Sequence, residues 1–163
     1  MRRFRPTRIV TLLALLLALS AAPAWADATL FIGSTTTPTS RIARGAALGI
    51  GLLVVGFEFE YSSTTEDVKS GASSLKIGSA NGLLQTPVPI LGFQPYVTAG
   101  AGIFRERVGT LTDTSIAPNV GGGVKMNLAG PLRLRVDYRA FRLGGGARDS
   151  PSHRLYVGLN VKF

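Results

Sequence analysis

The most informative stretch of the 163-residue chain is Leu132–Phe141, which reads LRLRVDYRAF. Its even-numbered positions are Leu, Leu, Val, Tyr and Ala, and its odd-numbered positions begin with Arg133, Arg135, Asp137 and Arg139. A period of two residues is that of a β-strand, whereas a helix would mix both kinds of residue on every face. The stretch therefore predicts a strand with one apolar face and one strongly charged face.

The same alternation continues on both sides of this strand. Residues 119–128 precede it across the turn Ala129-Gly130-Pro131, and residues 154–163 follow it. The first two runs indicate a hairpin. Five earlier strands are predicted at 28–34, 45–52, 55–62, 76–86 and 95–105, although the phase of 76–86 is ambiguous. The total is eight strands.

The first 26 residues have the pattern of a secretory signal peptide. Four arginines precede an apolar run from Ile9 to Leu19, and Ala24-Trp25-Ala26 is a small-x-small cleavage pattern. The mature domain is then 27–163, with 14 basic and 9 acidic residues and a net charge of +5 instead of +9. Beyond the leader, no run approaches the roughly 20 apolar residues of a transmembrane helix, so any membrane crossing must be made by strands.

Composition excludes several classes of site. The chain has no cysteine and one histidine, which excludes disulfides, thiolate metal sites and multi-histidine centres. We expect no metal and no cofactor. The basic residues alternate along strands and form no outward patch, so no nucleic-acid partner is expected.

Alternation alone does not say which face of the sheet points inward. A soluble lipid carrier would place the apolar face inside, but a transmembrane barrel reverses this arrangement. Charges of both signs and several glycines share the polar face, which suits a narrow, filled lumen. Facing arginine towards lipid would cost roughly 2–4 kcal/mol per residue near the midplane. The predicted charge network of the lumen comprises Glu58, Glu60, Lys125, Arg133, Arg135, Asp137, Arg139 and Lys162.

The connections also alternate in length. Longer polar loops are predicted at 35–44, 63–75, 106–118 and 143–153, and shorter turns at 53–54, 87–94 and 129–131. Long loops at one end and short turns at the other are typical of outer-membrane barrels. The predicted fold is all-β: an eight-stranded, antiparallel, up-and-down transmembrane β-barrel with a polar lumen filled by side chains.

The mature chain resembles the small outer-membrane β-barrels of the OmpA/OmpX type. The resemblance is carried by LFIG at 30–33, GFEFEY at 56–61, PYVTAGAG at 95–102 and YVGLNVKF at 156–163. It implies integral residence in a Gram-negative outer membrane, with both termini in the periplasm. No peptidoglycan-binding domain follows Phe163, so a tethering role is not expected.

The last of these segments also resembles a C-terminal assembly signal. In such proteins this signal is recognised by the barrel assembly machinery. The resemblance assigns that role here to Tyr156, Leu159, Val161 and Phe163.

Two clusters have residue types that suit catalysis. Asp149, Ser150, Ser152 and His153 would suit acyl transfer on lipid A, although their composition is that of an ordinary loop. Glu58 and Glu60 lie about 6.5–7 Å apart on one strand face, as in paired-carboxylate hydrolases. Ion pairing with the lumen arginines is the simpler account.

Arg105 and Arg107 lie at the predicted outer rim of the barrel. Contact with lipopolysaccharide phosphates and a solvated strand end are equally good interpretations. The favoured function is a monomeric, non-catalytic outer-membrane protein with a structural or surface-interaction role and membrane lipids as partners. Any residual pore should prefer anions weakly. A lipid A-modifying enzyme and a soluble periplasmic lipid carrier are the alternatives.

Overall fold

The computed structural model describes residues 24–36, 39–67, 71–108, 111–145 and 150–163. These ranges contain eight strands: β1 (Ala24–Thr35), β2 (Arg41–Leu52), β3 (Val55–Thr64), β4 (Ser74–Gln85), β5 (Phe93–Val108), β6 (Leu111–Ala129), β7 (Leu132–Phe141) and β8 (Ser152–Lys162). Each strand pairs antiparallel with its neighbours in the sequence, and β1 pairs with β8 to close the barrel. The predicted eight-stranded up-and-down barrel is confirmed. In the described part of the chain, no helix is long and apolar enough to span a membrane.

The two faces of the sheet differ sharply in exposure. On the outside, the side chains of Leu30 and Phe59 are each 71% exposed, whereas Arg135 and Arg139 on the inside are fully buried. Leu159 is 53% exposed on the outer face. This arrangement is the reverse of a soluble carrier, in which the apolar face surrounds an internal cavity. An apolar exterior on a closed barrel is suited to lipid, because closure leaves no backbone group unpaired.

Strand β4, whose phase the sequence left ambiguous, contributes apolar side chains to the interior. Leu75, Ile77 and Leu83 are buried inside, whereas Lys76 faces outward. Ile77 and Leu75 join an internal apolar layer near the extracellular end. The lumen is therefore mainly polar in its periplasmic and central parts, where Leu83 is an apolar exception, and an apolar layer lies above them. Its full apolar layer consists of Leu75, Ile77, Phe104, Ala117, Phe141 and Leu143.

Several predicted strand ends were too short. The predicted loop at 106–118 is wrong, because β5 continues to Val108 and β6 begins at Leu111, with Val108 opposite Leu111. Above the lipid-facing belt the outer face carries polar residues such as Arg105 and Thr114, so the apolar alternation disappears while backbone pairing continues. Arg41 likewise belongs to β2 and not to the preceding loop.

Strand β1 begins three residues before the predicted mature N-terminus. Ala24, Trp25 and Ala26 pair with Leu52, Gly51 and Ile50 of β2. Residues 1–23 lie outside the described residues, so signal-peptide cleavage after Ala26 stays a prediction. After such cleavage β1 would start at Asp27, opposite Gly49 and Lys162.

Two aromatic rings inside the barrel lie directly on glycine backbone. A Cβ atom on Gly45 would lie 2.4 Å from Cζ of Phe31, and one on Gly123 would lie 2.5 Å from the hydroxyl oxygen of Tyr96. Both distances are far below van der Waals contact, so only glycine fits beneath these rings. The glycines on the polar face thus make room for large side chains in a narrow lumen.

Candidate functional site: the charged lumen

Arg135 is at the centre of the lumen. It projects from the middle of β7 and forms a salt bridge to Glu58 on β3, on the opposite wall. Its guanidinium also lies 3.1 Å from Asp137, and its Nε donates to the Tyr96 hydroxyl at 2.7 Å. That hydroxyl donates in turn to Asp137 Oδ2 at 2.5 Å. Every charge in this group therefore has a partner of opposite sign, which offsets the cost of burying it.

Arg139 extends the network towards the extracellular end. Its guanidinium lies 3.3 Å from Glu58, 3.1 Å from Asp137 and 3.1 Å from Glu60. Glu60 is also held by Arg154 of β8, at 2.5 Å. Two carboxylates on β3 thus meet basic residues on β7 and β8, which connects strands that are far apart in sequence.

Arg154 also connects the ion pairs to the aromatic residues of the lumen. Its guanidinium carbon lies 5.1 Å from the Phe31 ring centroid and 5.3 Å from that of Tyr156. The two rings stack with centroids 4.0 Å apart. A guanidinium over aromatic faces is stabilised by the ring quadrupole, more strongly where water is excluded.

A second ion-pair group lies towards the periplasmic end. Lys125 Nζ is 2.6 Å from Asp27 Oδ2, and Arg133 Nη2 is 3.1 Å from the same oxygen. Arg133 also donates to Gln94 at 3.1 Å and to Asn160 at 2.8 Å. One carboxylate therefore neutralises part of the charge of two basic side chains, and neutral amides provide the remaining acceptors.

Lys162 is the predicted network member that the structure does not bring into this network. It is half-buried at the periplasmic mouth, and its ammonium lies 3.6 Å from the ring centroid of Trp25. Among the residues that the structure describes, no carboxylate lies within salt-bridge distance of Lys162. It lines a vestibule of about 300 Å³ together with Trp25, Asp27, Lys125 and Arg133.

The vestibule does not continue through the barrel. Above it, Arg135 and Arg139 are fully buried, followed by Phe104 at 0% and Phe141 at 1% exposure in the apolar layer. A further polar group lies at the extracellular end, where Arg41 donates to the backbone oxygen of Ser73. Charged, apolar and polar layers thus fill successive levels of the lumen.

The sequence predicted some members of this charge network but not all of them. Seven of the eight predicted members are buried and ion-paired inside the barrel, but Asp27, Arg154 and Tyr96 were not singled out. All three occupy polar-face positions of their strands, so the period of two was the signal that would have found them. Their roles as partners depend on which strands meet across the lumen.

The candidate acyl-transfer cluster is split by the sheet. Ser152 is buried inside the barrel, whereas His153 faces outward and its Nδ1 lies 2.7 Å from the Tyr138 hydroxyl. Ser150 Oγ accepts a hydrogen bond from the backbone N–H of Leu143 at 3.1 Å. Asp149 lies outside the described residues. The residues described here place no serine hydroxyl against the histidine.

The paired carboxylates Glu58 and Glu60 are both engaged by arginine. Glu58 is held by Arg135 and Arg139, and Glu60 by Arg139 and Arg154. Hydrolysis by two carboxyl groups needs both groups to flank a substrate bond, and both of these side chains are buried, Glu58 at 2% and Glu60 at 4% exposure. Within the described ranges, no group of three or more histidine or acidic side chains is placed to hold a metal ion.

The assembly-signal residues indicated by the family resemblance lie on both faces of β8, the strand that pairs with β1 to close the barrel. Tyr156 is buried inside at 1% exposure, whereas Leu159, Val161 and Phe163 face outward. The rim residues Arg105 and Arg107 are both exposed on the outer face of β5. Arg105 lies opposite Lys76 of β4, so two cations are adjacent on the outer surface.

Known structures share this architecture at low sequence identity. The N-terminal barrel domain of Pseudomonas aeruginosa OprF matches with a TM-score of 0.69 at 14% identity, covering 85% of this chain and 97% of that one. Neisserial surface protein A matches at 0.65 and 21% identity, covering 86% and 96%. The Yersinia pestis attachment invasion locus protein Ail matches at 0.56 and 13% identity, covering 87% and 99%. No protein-family model and no curated protein matches the chain by sequence.

These similarities agree with the surface chemistry of the barrel. Each alignment includes at least 96% of the matched chain, so the similarity extends over the complete barrel. The apolar exterior and paired lumen charges are those of a barrel embedded in a bilayer. By fold and by surface, the chain is an eight-stranded β-barrel of the kind that spans a bilayer.

Proposed function

We propose that this barrel is a non-catalytic, non-conducting outer-membrane protein whose interactions are made by its extracellular loops and its lipid-facing surface. The observation that carries the proposal is the filled lumen, in which Arg135, Arg139, Phe104 and Phe141 are at most 1% exposed. A channel needs a continuous polar path, and an enzyme needs an accessible reacting group. A sealed interior supports a structural and surface role.

The ion pairs also oppose opening of the lumen. Separating one partner of a buried pair leaves an uncompensated charge, which typically costs about 3–5 kcal/mol. Arg135 and Arg139 share Glu58 and Asp137, so moving either guanidinium disturbs two carboxylates. We therefore expect thermal fluctuations to open the lumen rarely.

Planar-bilayer recording tests the sealed lumen directly. The purified barrel, shown to be folded by its heat-modifiable gel mobility, is added to a planar bilayer in 1 M KCl. The K⁺ and Cl⁻ ions carry the measured current. The expected trace matches that of a protein-free bilayer apart from rare brief openings. Large, long-lived conductance steps would refute the proposal.

In this proposal the contacts between the protein and its partners lie on the outside of the barrel. The hairpin of β5 and β6 extends beyond the apolar belt, with Arg105 and Arg107 exposed at its base. These two arginines are our candidate contacts to lipopolysaccharide phosphates, since guanidinium–phosphate hydrogen bonds are strong and bidentate. The shared fold supports residence among such lipids.

The lipid A-modifying alternative is tested at the one histidine of the chain. The variant His153→Ala is expected to leave the acylation state of extracted lipid A unchanged relative to wild-type expression. His153 contacts Tyr138 and no described carboxylate or serine hydroxyl, which is the reason for that expectation. A change in acylation state that depends on His153 would establish the enzyme.

Biogenesis is proposed to depend on the outward residues of β8. Phe163 is 69% exposed at the end of the closing strand, where the barrel assembly machinery would meet it. Phe163→Ala should reduce the heat-modifiable fraction in cells but leave refolding in detergent intact. The barrel is proposed to act as a monomer, which mass measurement in detergent would test.

A further inference from the structure

The outer surface of β2 to β5 contains an apolar groove of about 640 Å³. Its floor is made by small outward residues, among them Ala46, Gly78, Ala80 and Ala101. Larger side chains, including Phe59 and Tyr61 on β3 and Ile103 on β5, rise beside it. Ala80 of β4 and Ala101 of β5 are direct partners, so small outward residues adjoin across two strands of the groove.

Strand register places the groove in two rows. In the upper row, Ala46, Tyr61, Gly78 and Ile103 are consecutive partners across β2, β3, β4 and β5. In the lower row the partners are Leu48, Phe59, Ala80 and Ala101. Successive rows on one face lie about 6.6 Å apart along the strands. The groove therefore covers two successive rows of the outer wall across four strands.

Directly above the groove lies a row of cations. Arg44 of β2 pairs with Ser63 of β3, Ser63 pairs with Lys76 of β4, and Lys76 pairs with Arg105 of β5. The three cationic side chains are all exposed on the outer face. With strands about 4.8 Å apart, the row spans roughly 14 Å. It lies at the loop end of the strands, where the outer leaflet has its headgroups.

The charge of this surface is of one sign. In the described strands, every carboxylate occupies an inward position: Asp27, Glu58, Glu60, Glu106, Asp113 and Asp137. The outward charged residues of the described strands are all basic and all lie near the extracellular end: Arg44, Lys76, Arg105 and Arg107. A lipid with phosphate in its headgroup complements both the row and the groove.

We propose that this face binds one phosphorylated, multiply acylated glycolipid of the outer leaflet, the lipid anchor of lipopolysaccharide. The phosphates contact Arg44, Lys76 and Arg105, and an acyl chain lies in the groove. A headgroup with two separated phosphates reaches both ends of the cation row, whereas a single phosphodiester reaches only part of it. This inference rests on the proposed outer-membrane function and assigns that function a specific lipid partner.

Native mass spectrometry of the detergent-folded barrel tests the site. Bisphosphorylated lipid A, phosphatidylglycerol and phosphatidylcholine are titrated separately, and the bound copies are counted. We expect one copy of lipid A to bind more tightly than either phospholipid. The double variant Lys76→Gln/Arg105→Gln should weaken lipid A binding at least tenfold, because a charge-assisted hydrogen bond is typically worth about tenfold in affinity.

Each feature of the site has a matched control. Arg142→Gln removes an exposed cation from the opposite side of the barrel and should leave lipid A binding unchanged. Gly78→Leu fills the groove, since a Cβ there has no neighbour within 4 Å, and it should weaken binding. Gly82→Leu, where a Cβ has only an ordinary contact at 3.8 Å, lies outside the groove lining and should not.

The outcomes separate this inference from the proposed function. Equal binding by wild type, the double variant and Gly78→Leu would overturn the lipid site, even if the barrel stays folded and non-conducting. A dimer that Gly78→Leu dissociates would overturn it too, by assigning the groove to a second copy. Displacement of lipid A by millimolar inorganic phosphate would show a free-anion site instead. Bilayer conductance would refute only the sealed lumen.

Discussion

Replacing Arg135 by methionine should destabilise the barrel more than any surface change of the same kind. Arg135 is fully buried and contacts Glu58, Asp137 and Tyr96. Methionine retains part of the aliphatic volume but removes the positive charge and its hydrogen bonds. The perturbation therefore tests whether the lumen charges are held by one another.

The magnitude follows from what remains after the substitution. Glu58 keeps one contact to Arg139 at 3.3 Å, and Asp137 keeps contacts to Arg139 at 3.1 Å and to Tyr96 at 2.5 Å. Removing one partner of a buried pair typically costs about 3–5 kcal/mol. Because both carboxylates keep a cation, we expect the lower end, about 3 kcal/mol in the free energy of unfolding.

The double variant Arg135→Met/Glu58→Met, compared with each of the two single variants, forms a double-mutant cycle. It removes one positive and one negative charge, so no uncompensated carboxylate remains at this level of the lumen. Replacing a whole buried pair by apolar residues is often close to neutral. We expect the double variant to be more stable than Arg135→Met, with a coupling energy of about 1–3 kcal/mol.

Urea titration in phosphatidylcholine vesicles, followed by far-ultraviolet circular dichroism and gel mobility, measures these differences. Arg105→Met makes the same chemical change at an exposed outward position and should shift stability by less than about 0.5 kcal/mol. If Arg135→Met also lies within 0.5 kcal/mol of wild type, the lumen network does not stabilise the barrel. A double variant as unstable as the single one would show that Glu58 is not the partner that matters.

Three further predictions concern the lipid face, the glycines and the central hydroxyl. Val157→Arg, in the middle of β8, should cost about 2–4 kcal/mol of unfolding free energy in vesicles, and Val161→Arg, near its periplasmic end, about 0–1 kcal/mol; equal costs would contradict a midplane position for Val157 and an interfacial position for Val161. Gly45→Ala should cost about 1–3 kcal/mol, because its Cβ would meet a backbone oxygen at 2.2 Å, while Gly78→Ala has open space and should be tolerated in the same urea titration. Tyr96→Phe removes a hydroxyl that both donates and accepts inside the lumen, so the urea midpoint should fall by the equivalent of about 1–3 kcal/mol, and an unchanged midpoint would argue against that bridge.

The strands were predictable because one face of the sheet contacts lipid and the other face lines a polar lumen. A strand between lipid and a polar lumen must alternate, and a slip of one residue would expose every charge to lipid. The alternation at 132–141 therefore identified both the strand and its inward residues. The prediction lost accuracy above the lipid-facing belt, where β5 continues to Val108 and β6 begins at Leu111 although the apolar alternation on their outer faces has ended.

The inward positions alone did not reveal the whole site. Arg154 and Tyr96 shared the polar parity of their strands, yet nothing local marked them as partners of Glu60 and Asp137. The apolar layer that includes Ile77 was hidden for the opposite reason. Above the charge network the inward residues form the apolar layer, which breaks the alternation in β4.

The amino-acid sequence by itself determined that the chain forms eight alternating strands, which side chains share a face, and that the charged face cannot contact lipid. Which charges meet was decided only by the tertiary structure. Arg135 reaches Glu58 across 77 positions of chain, and Lys125 reaches Asp27 across 98. The physical reason is that strand parity is a local property of the backbone, whereas the level at which two opposite walls face each other depends on closure and stagger of the whole barrel.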